Sequence, residues 1–314
     1  MSFRARLLTA CGALAVLVLL FIIGVVFSPE RVQARTSAQP LLPGMSSEKV
    51  DGIEIRVGGT TAIELRRGAH GWQTGAYPAS ADRVATFLRT VAGLRRTSRV
   101  TSGPQHLGEL GLGSGESRIL VLHQAGAADA VLEVGKRGPA GDADYVRVQG
   151  QDQVYLAKGS LFFFLAQKTP SWYELHVLPD DVQGTTIAEI TVRGTLETLR
   201  GGYSLRRPSA DKLDQWVVGE SPADRVTAGA MASSLANLEG VDFAVEKAGQ
   251  TGSGAGRLDI AVKTFEGKTY ALSVTRGPEQ GRVRVTTSWS PWTYVVNEVP
   301  LQRAVLSELR LISR

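Results

Sequence analysis

The chain has 314 residues, with 35 Lys and Arg against 30 Asp and Glu, for a net charge of +5. Hydrophobic residues make up 43% of it, which excludes a wholly disordered polymer and permits a sizeable core. Arg4 and Arg6 supply two of the five net charges, and the +3 left downstream is too little to argue for nucleic acid. One Cys and four His leave no basis for a disulfide framework or a protein-only zinc centre.

After a short tail, residues 1–6, Leu7–Phe27 runs for 21 residues without a charge. As a helix it measures about 31 Å, the thickness of a hydrocarbon core, with its backbone hydrogen bonds closed internally. Three other readings compete. Leu8-Thr9-Ala10-Cys11 resembles a lipoprotein box, yet most of the apolar residues follow Cys11. A signal peptide cleaved after Val32-Gln33-Ala34 would have an apolar core longer than the usual ~7–15 residues. A buried core helix fits the terminal position least. An uncleaved single-pass transmembrane anchor is the expectation. Arg4 and Arg6 favour a cytoplasmic N-terminus, which puts the folded mass in the periplasm of a bacterial inner membrane. Residues 28–47, with Pro29, Pro40, Pro43 and Gly44, read as a linker.

The rest of the chain reads as a duplication. Ala81-Asp82-Arg83-Val84 recurs as Ala223-Asp224-Arg225-Val226, 142 residues later. Alternating segments precede both copies: VDGIEIRV (50–57), TAIELRR (61–67) and GWQTGAYP (71–78) before the first, IAEITVRG (187–194), GGYSLRRP (201–208) and QWVVGESP (215–222) before the second. Each set reads as three antiparallel strands, with Trp72 and Trp216 on the third. Each ADRV then opens a helix. Val84, Phe87, Leu88, Val91 and Leu94 line the first, Val226, Met231, Leu235 and Leu238 the second. Asp82 and Asp224 lie in the first helical turn, and Ser221-Pro222 reads as N-cap and first position of the second helix. About four strands follow in each copy, closed by helices from LFFFLAQK (161–168) and LQRAVLSELRLI (301–312). The predicted fold class is α+β: an N-terminal transmembrane helix followed by two tandem repeats, 48–178 and 179–314, each of antiparallel strands with two helices. Trp72 and Trp216 should be buried near Val84 and Val226, and Trp292 should lie in a loop.

The Trp, Pro-Ala and Arg-Val ahead of a helix, then His106-Leu107-Gly108-Glu109-Leu110-Gly111-Leu112, Gly135, Asp144-Tyr145-Val146-Arg147 and Val154-Tyr155-Leu156, resemble the domain-of-unknown-function 4340 family. The resemblance covers roughly residues 48 to 300. It implies a membrane-anchored accessory role beside an ABC-type permease or auxiliary subunit in a transport or gliding-motility-like complex. It carries over no catalytic residues.

Motifs that carry chemistry are missing: there is no G-x-S-x-G, H-E-x-x-H or G-x-x-x-x-G-K-S/T. Gly249–Gly256 and Gly111–Gly115 lack the setting of a phosphate or dinucleotide loop. His70, His106, His123 and His176 are scattered, and Asp142 with Asp144 and Asp180 with Asp181 read as solvated turn residues. The expectation is a non-enzymatic protein with no catalytic residue, cofactor or metal, binding a protein partner. The candidate partner-binding residues are Phe162, Phe163, Phe164, Trp172, Tyr173, Trp289, Trp292 and Tyr294, because Trp and Tyr dominate interface hot spots and three successive Phe cannot all face one core. An envelope hydrolase with an unrecognised acidic site and a purely structural spacer are the alternatives.

Overall fold

The computed structural model describes residues 16–19, 39–101, 103–113, 115, 117–245, 256–277 and 279–312. They belong to two compact units, Met1–Trp172 and Tyr173–Arg314, so the division falls six residues before the boundary expected at 178.

In the first unit, β1 (Val50–Val57), β2 (Thr60–Gly68), β3 (Gly71–Thr74) and β4 (Tyr77–Pro78) lead into α1 (Ala81–Ala92). Then come β5 (Arg95–Thr101), β6 (Arg118–Gln124), β7 (Ala130–Arg137), β8 (Ala143–Val148), β9 (Val154–Lys158) and the short α2 (Leu161–Leu165). The nine strands form one antiparallel sheet in the order β4-β3-β2-β1-β6-β7-β8-β9-β5. Period-two alternation puts Ile53, Ile55, Ile63, Leu65, Leu120, Leu122, Leu132 and Val134 on one face, all buried. That face is covered chiefly by α1, which buries Val84, Phe87, Leu88 and Val91. The Ser80 hydroxyl accepts from the Arg83 N–H and starts the helix.

The second unit repeats this plan. Its strands are β10 (Ile187–Leu196), β11 (Leu199–Arg200), β12 (Tyr203–Arg206), β13 (Val217–Val218) and β14 (Ser221–Pro222). After α3 (Arg225–Ala236) come β15 (Asp242–Phe243), β16 (Arg257–Thr264), β17 (Thr269–Arg276), β18 (Arg282–Thr287) and β19 (Tyr294–Asn297). The order is β14-β13-β12-β10-β16-β17-β18-β19-β15, the first unit's order place for place, with β11 an extra piece on β10. Irregularities match too. A bulge interrupts β1/β6 between Val50 and Gly52, and another interrupts β10/β16 between Ile187 and Glu189.

The joint between sheet and helix gives the true register of the repeat. The Ala79 N–H donates to the Trp72 carbonyl and the Ala223 N–H to the Trp216 carbonyl, each at 2.8 Å. Ser80 caps α1, whereas Asp224 caps α3 by accepting from the Thr227 N–H at 2.8 Å. The copies therefore match 144 residues apart, pairing Trp72 with Trp216 and Ser80 with Asp224, and the ADRV identity at 142 is two residues out of step. Ala81–Val84 does not overlie Ala223–Val226. Val84, Phe87, Leu88 and Val91 correspond instead to Ala228, Met231, Ala232 and Leu235, all buried. Val226 is 70% exposed, not part of the apolar stripe, because it falls in the first turn just after the cap. Pro222 lies in β14 and is no helical residue.

The α+β expectation is corrected in the same way. Two long antiparallel sheets dominate, and each carries one twelve-residue helix. The closing helices shrink. The Phe-rich segment gives only Leu161–Leu165, and 301–312 breaks into α4 (Glu298–Ala304) and α5 (Glu308–Leu311). The break falls at β-branched Val305, which is extended at φ −135°, ψ 101°, ahead of Ser307 in an extended N-cap position. Among the described residues no helix is long and apolar enough to cross a membrane. Of the expected anchor Leu7–Phe27 only residues 16–19 are described, and the tail and most of the linker lie outside the described residues.

Gly135 shows how a loop is fastened to the outer face. Any Cβ there would collide with the Leu110 carbonyl and press on Leu112, which is fully buried. The Lys136 N–H donates to Leu110 O at 2.8 Å, so the Leu-rich loop is stitched to β7.

Trp72 and Trp216 are both buried, each under a guanidinium: Arg67 at 5.2 Å and Arg207 at 3.9 Å from the ring centroid. Arg207 also donates to the Gly184, Thr185 and Ile187 carbonyls. Trp72→Ala and Trp216→Ala should each cost about 3–5 kcal/mol in denaturant unfolding, each in its own unit's transition, with half-buried Trp292→Ala costing less. Equal losses for Trp292→Ala and Trp216→Ala would place the core wrongly.

Candidate functional site

The eight aromatic candidates do not form one patch. In the first unit Trp172 is 0% exposed and stacks edge-on to Phe87 at 5.3 Å, with Phe164 6.3 Å away. Trp172 is thus a core residue and no docking residue, because α1 needs a large ring beneath Phe87. Phe162 is half-buried under the Arg118 guanidinium at 4.5 Å. Phe163 alone of the triple points out, at 54% exposure. In the second unit Tyr173, Trp292 and Tyr294 surround Phe243 with centroids 5.2–6.0 Å apart. Phe243 and Tyr294 are buried, while Tyr173 and Trp292 are half-buried. Trp289 packs separately against Tyr270.

Asp144 is no solvated turn residue. It is 1% exposed on β8, and its carboxylate accepts from the Phe162 N–H at 2.9 Å, at the start of α2. Burial raises its pKa against the pull of that hydrogen bond and of Arg137. His106 and His123 each pair with one carboxylate, Glu109 at 3.4 Å and Asp129 at 3.0 Å. His176 meets more. Its Nδ1 lies 2.8 Å from Glu174 and 4.0 Å from Asp180, all three offering ligand atoms within 4.8 Å of one another. His176 and Asp180 border a hollow of about 400 Å³ that Ser233 and Asn237 also line. Such a set can share a proton or meet a cation, but Asp180 is a largely exposed side chain and the charges stay hydrated.

Each sheet also has a second, outward face, and here the two units part company. On the first, Arg56 Nε donates to Glu54 at 2.8 Å, Arg66 Nε to Glu64 at 2.6 Å and Arg147 Nε to Glu133 at 2.9 Å. Hydrogen bonds from Arg56 and Thr61 hold the Glu54 pKa down at about 2. Burial opposes ionisation of Glu133, but the Gly113 N–H, Arg147 and Ser117 outweigh it and keep that carboxyl below its ordinary value. On the second, β10, β16, β17 and β18 floor an open hollow of about 510 Å³ with Thr191, Ala261, Ala271, Ser273 and Thr286, and Arg193 and Arg257 rise at its side. These residues were not among the candidates from the sequence. Their signal was present in IEIR (53–56) beside ITVR (190–193) and in IELRR (63–67) beside YSLRR (203–207).

The chain is thus a sheet-and-helix unit built twice, each copy with one face packed and one face open. The chain belongs to DUF4340, a family built on a domain of unknown function, which it matches over residues 72–255. No curated protein and no solved structure matches it.

At His176 burial lowers the pKa, yet the Glu174 hydrogen bond and the charges of Glu174, Glu239 and Asp180 outweigh it and leave the imidazole above 6.5. Its contribution to stability is therefore complete below pH 6.5 and is lost as pH rises through the raised folded value. An NMR titration should find His176 above 6.5, and a midpoint at or below 6.5 would contradict the cluster. At Asp144, replacement by Ala orphans the Phe162 N–H and should cost about 1–3 kcal/mol, whereas Asp144→Asn keeps an acceptor without a buried charge and should cost little. Unfolding curves that rank the two variants the other way would contradict the capping role.

Proposed function

We propose that the chain is a non-enzymatic accessory subunit that binds a protein partner at the periplasmic face of a bacterial inner membrane, the partner being an ABC-type permease or auxiliary subunit of a transport or motility-like complex. The observation that carries the reading is the aromatic surface of the second unit. Tyr173 and Trp292 are half-buried and rest on buried Phe243, so they present rigid rings at low entropic cost. Phe163, exposed beside Phe164, offers a lesser apolar contact on the first unit. The partner class follows the family resemblance.

Crosslinking in native membranes followed by mass spectrometry should recover a permease or auxiliary subunit with the wild-type chain, and markedly less with a folded Tyr173→Ala, Trp292→Ala variant. Repeated recovery of the bait alone, or equal recovery by the variant, contradicts the reading.

A further inference from the structure

The two outward faces are the same ladder with different side chains on it. Strand register places Glu54 opposite Glu64 and Val121, and Thr191 opposite Ser204 and Ala261. It likewise places Glu133 opposite Arg147, and Ser273 opposite Thr286. Each of the three arginine-paired glutamates on the first face is therefore a hydroxyl residue in the second: Glu54, Glu64 and Glu133 correspond to Thr191, Ser204 and Ser273. Two of their arginine partners remain, Arg56 as Arg193 and Arg66 as Arg206. The first face neutralises itself through three ion pairs. On the second, Arg193 and Arg206 lie opposite Asp259 and Glu189 in the ladder yet enter no ion pair among the described residues, and Arg257 and Lys263 add to their charge. Arg257 takes Asp259 at 2.8 Å, which leaves Arg193, among the described residues, as the unpaired cation lining the hollow, with Arg206 and Lys263 on the neighbouring strands of the same sheet.

We infer that this face, built on β12, β10, β16, β17 and β18, binds an extended acidic segment of the partner protein. This deepens the protein-binding reading above and rests on it. The floor of Thr191, Ala261, Ala271 and Ser273 is short enough for a backbone to approach; the Thr191 and Ser204 hydroxyls donate to Glu189, so the Ser273 hydroxyl and the guanidinium groups are what a carboxylate would meet. Rows of side chains on one face of a strand recur about every 6.6–6.8 Å, the spacing of alternate carboxylates on an extended peptide. The floor offers no aromatic ring on which nucleic-acid bases could stack, which favours protein over single-stranded nucleic acid. The fixed positive potential speeds encounter and selects acidic sequences.

The test is fluorescence anisotropy of the full chain with a labelled alternating Glu-Ser peptide, beside a Lys-Ser peptide and oligothymidylate. Binding of the Glu-Ser peptide alone, weakening as salt rises, is expected. Thr191→Glu with Ser204→Glu rebuilds the first unit's pairs and should abolish it. Arg193→Ala with Arg206→Ala, which adds no charge to the sheet, should weaken it roughly tenfold. No binding by the wild-type chain, unchanged binding by both folded variants, or equal binding of oligothymidylate overturns the inference. Membrane crosslinking through Tyr173 and Trp292 is a separate readout. A partner recovered there while the peptide fails to bind leaves the accessory-subunit reading standing and removes this one.

Discussion

Each sheet, of nine strands in the first unit and ten in the second, has one apolar face and a single twelve-residue helix to cover it. That is the constraint on which the rest depends. A helix of this length spans about 18 Å, so it must sit at one place on the sheet and spend every inward position on the core. In the first unit Val84, Phe87, Leu88 and Val91 do so; in the second Ala228, Met231, Ala232 and Leu235 do so at the same places. The placement is secured by the Ala79 to Trp72 and Ala223 to Trp216 hydrogen bonds and by a cap at the following residue. The volumes differ: two alanines in α3 replace a valine and a leucine in α1. Large rings fill the first unit, where Trp172 lies under Phe87, while Tyr203 reaches the Met231 sulfur in the second.

The outward faces carry no such burden, and so their chemistry is free to diverge. A glutamate on the first face is paired with an arginine two residues away or across the ladder. A hydroxyl at the same position of the second face takes away that ion pair, and the Thr191 and Ser204 hydroxyls donate to Glu189 instead. Exposed ion pairs of this kind contribute little to folding, about 0–1 kcal/mol each, so their loss is tolerable to the fold and large in its effect on surface potential. The packed face thus explains why the units stay alike, and the open face is where they can acquire different partners.

Much of the frame was legible in the sequence because period-two alternation is strong in segments such as VDGIEIRV and TYALSVTR. The tryptophan-bearing strands ahead of the helices were legible for the same reason. What failed were weak or borrowed signals. Arg95–Thr101 reads RRTSRVT and carries no apolar alternation, yet it becomes β5 because it pairs with β9 at the sheet edge. The two-residue strands β4 and β14 are set by sheet pairing, which no short-range pattern records. The ADRV identity misled by two residues, since a four-residue match outweighed the functional equivalence of Ser80 and Asp224 as caps. Among the site candidates, a run of three Phe said that one ring must turn outward and did not say which. Glu174, His176 and Asp180 were legible as residues but not as a cluster, because the turn that gathers them is tertiary. Arg193 and Arg206 were hidden in plain alternation: what marks them is Thr191 and Ser204 standing where the first unit has Glu54 and Glu64.

The claim that one frame was built twice can be tested by residue-resolved native-state hydrogen exchange on the whole chain. The duplicated frame predicts two matching protection profiles, highest at Leu120 and Leu132 in one unit and at Ile260 and Leu272 in the other, fading toward the strands β4, β5, β14 and β15 at the edges. Profiles that peak on non-equivalent strands, or a second unit protected along α3 but not along β16 and β17, would contradict it.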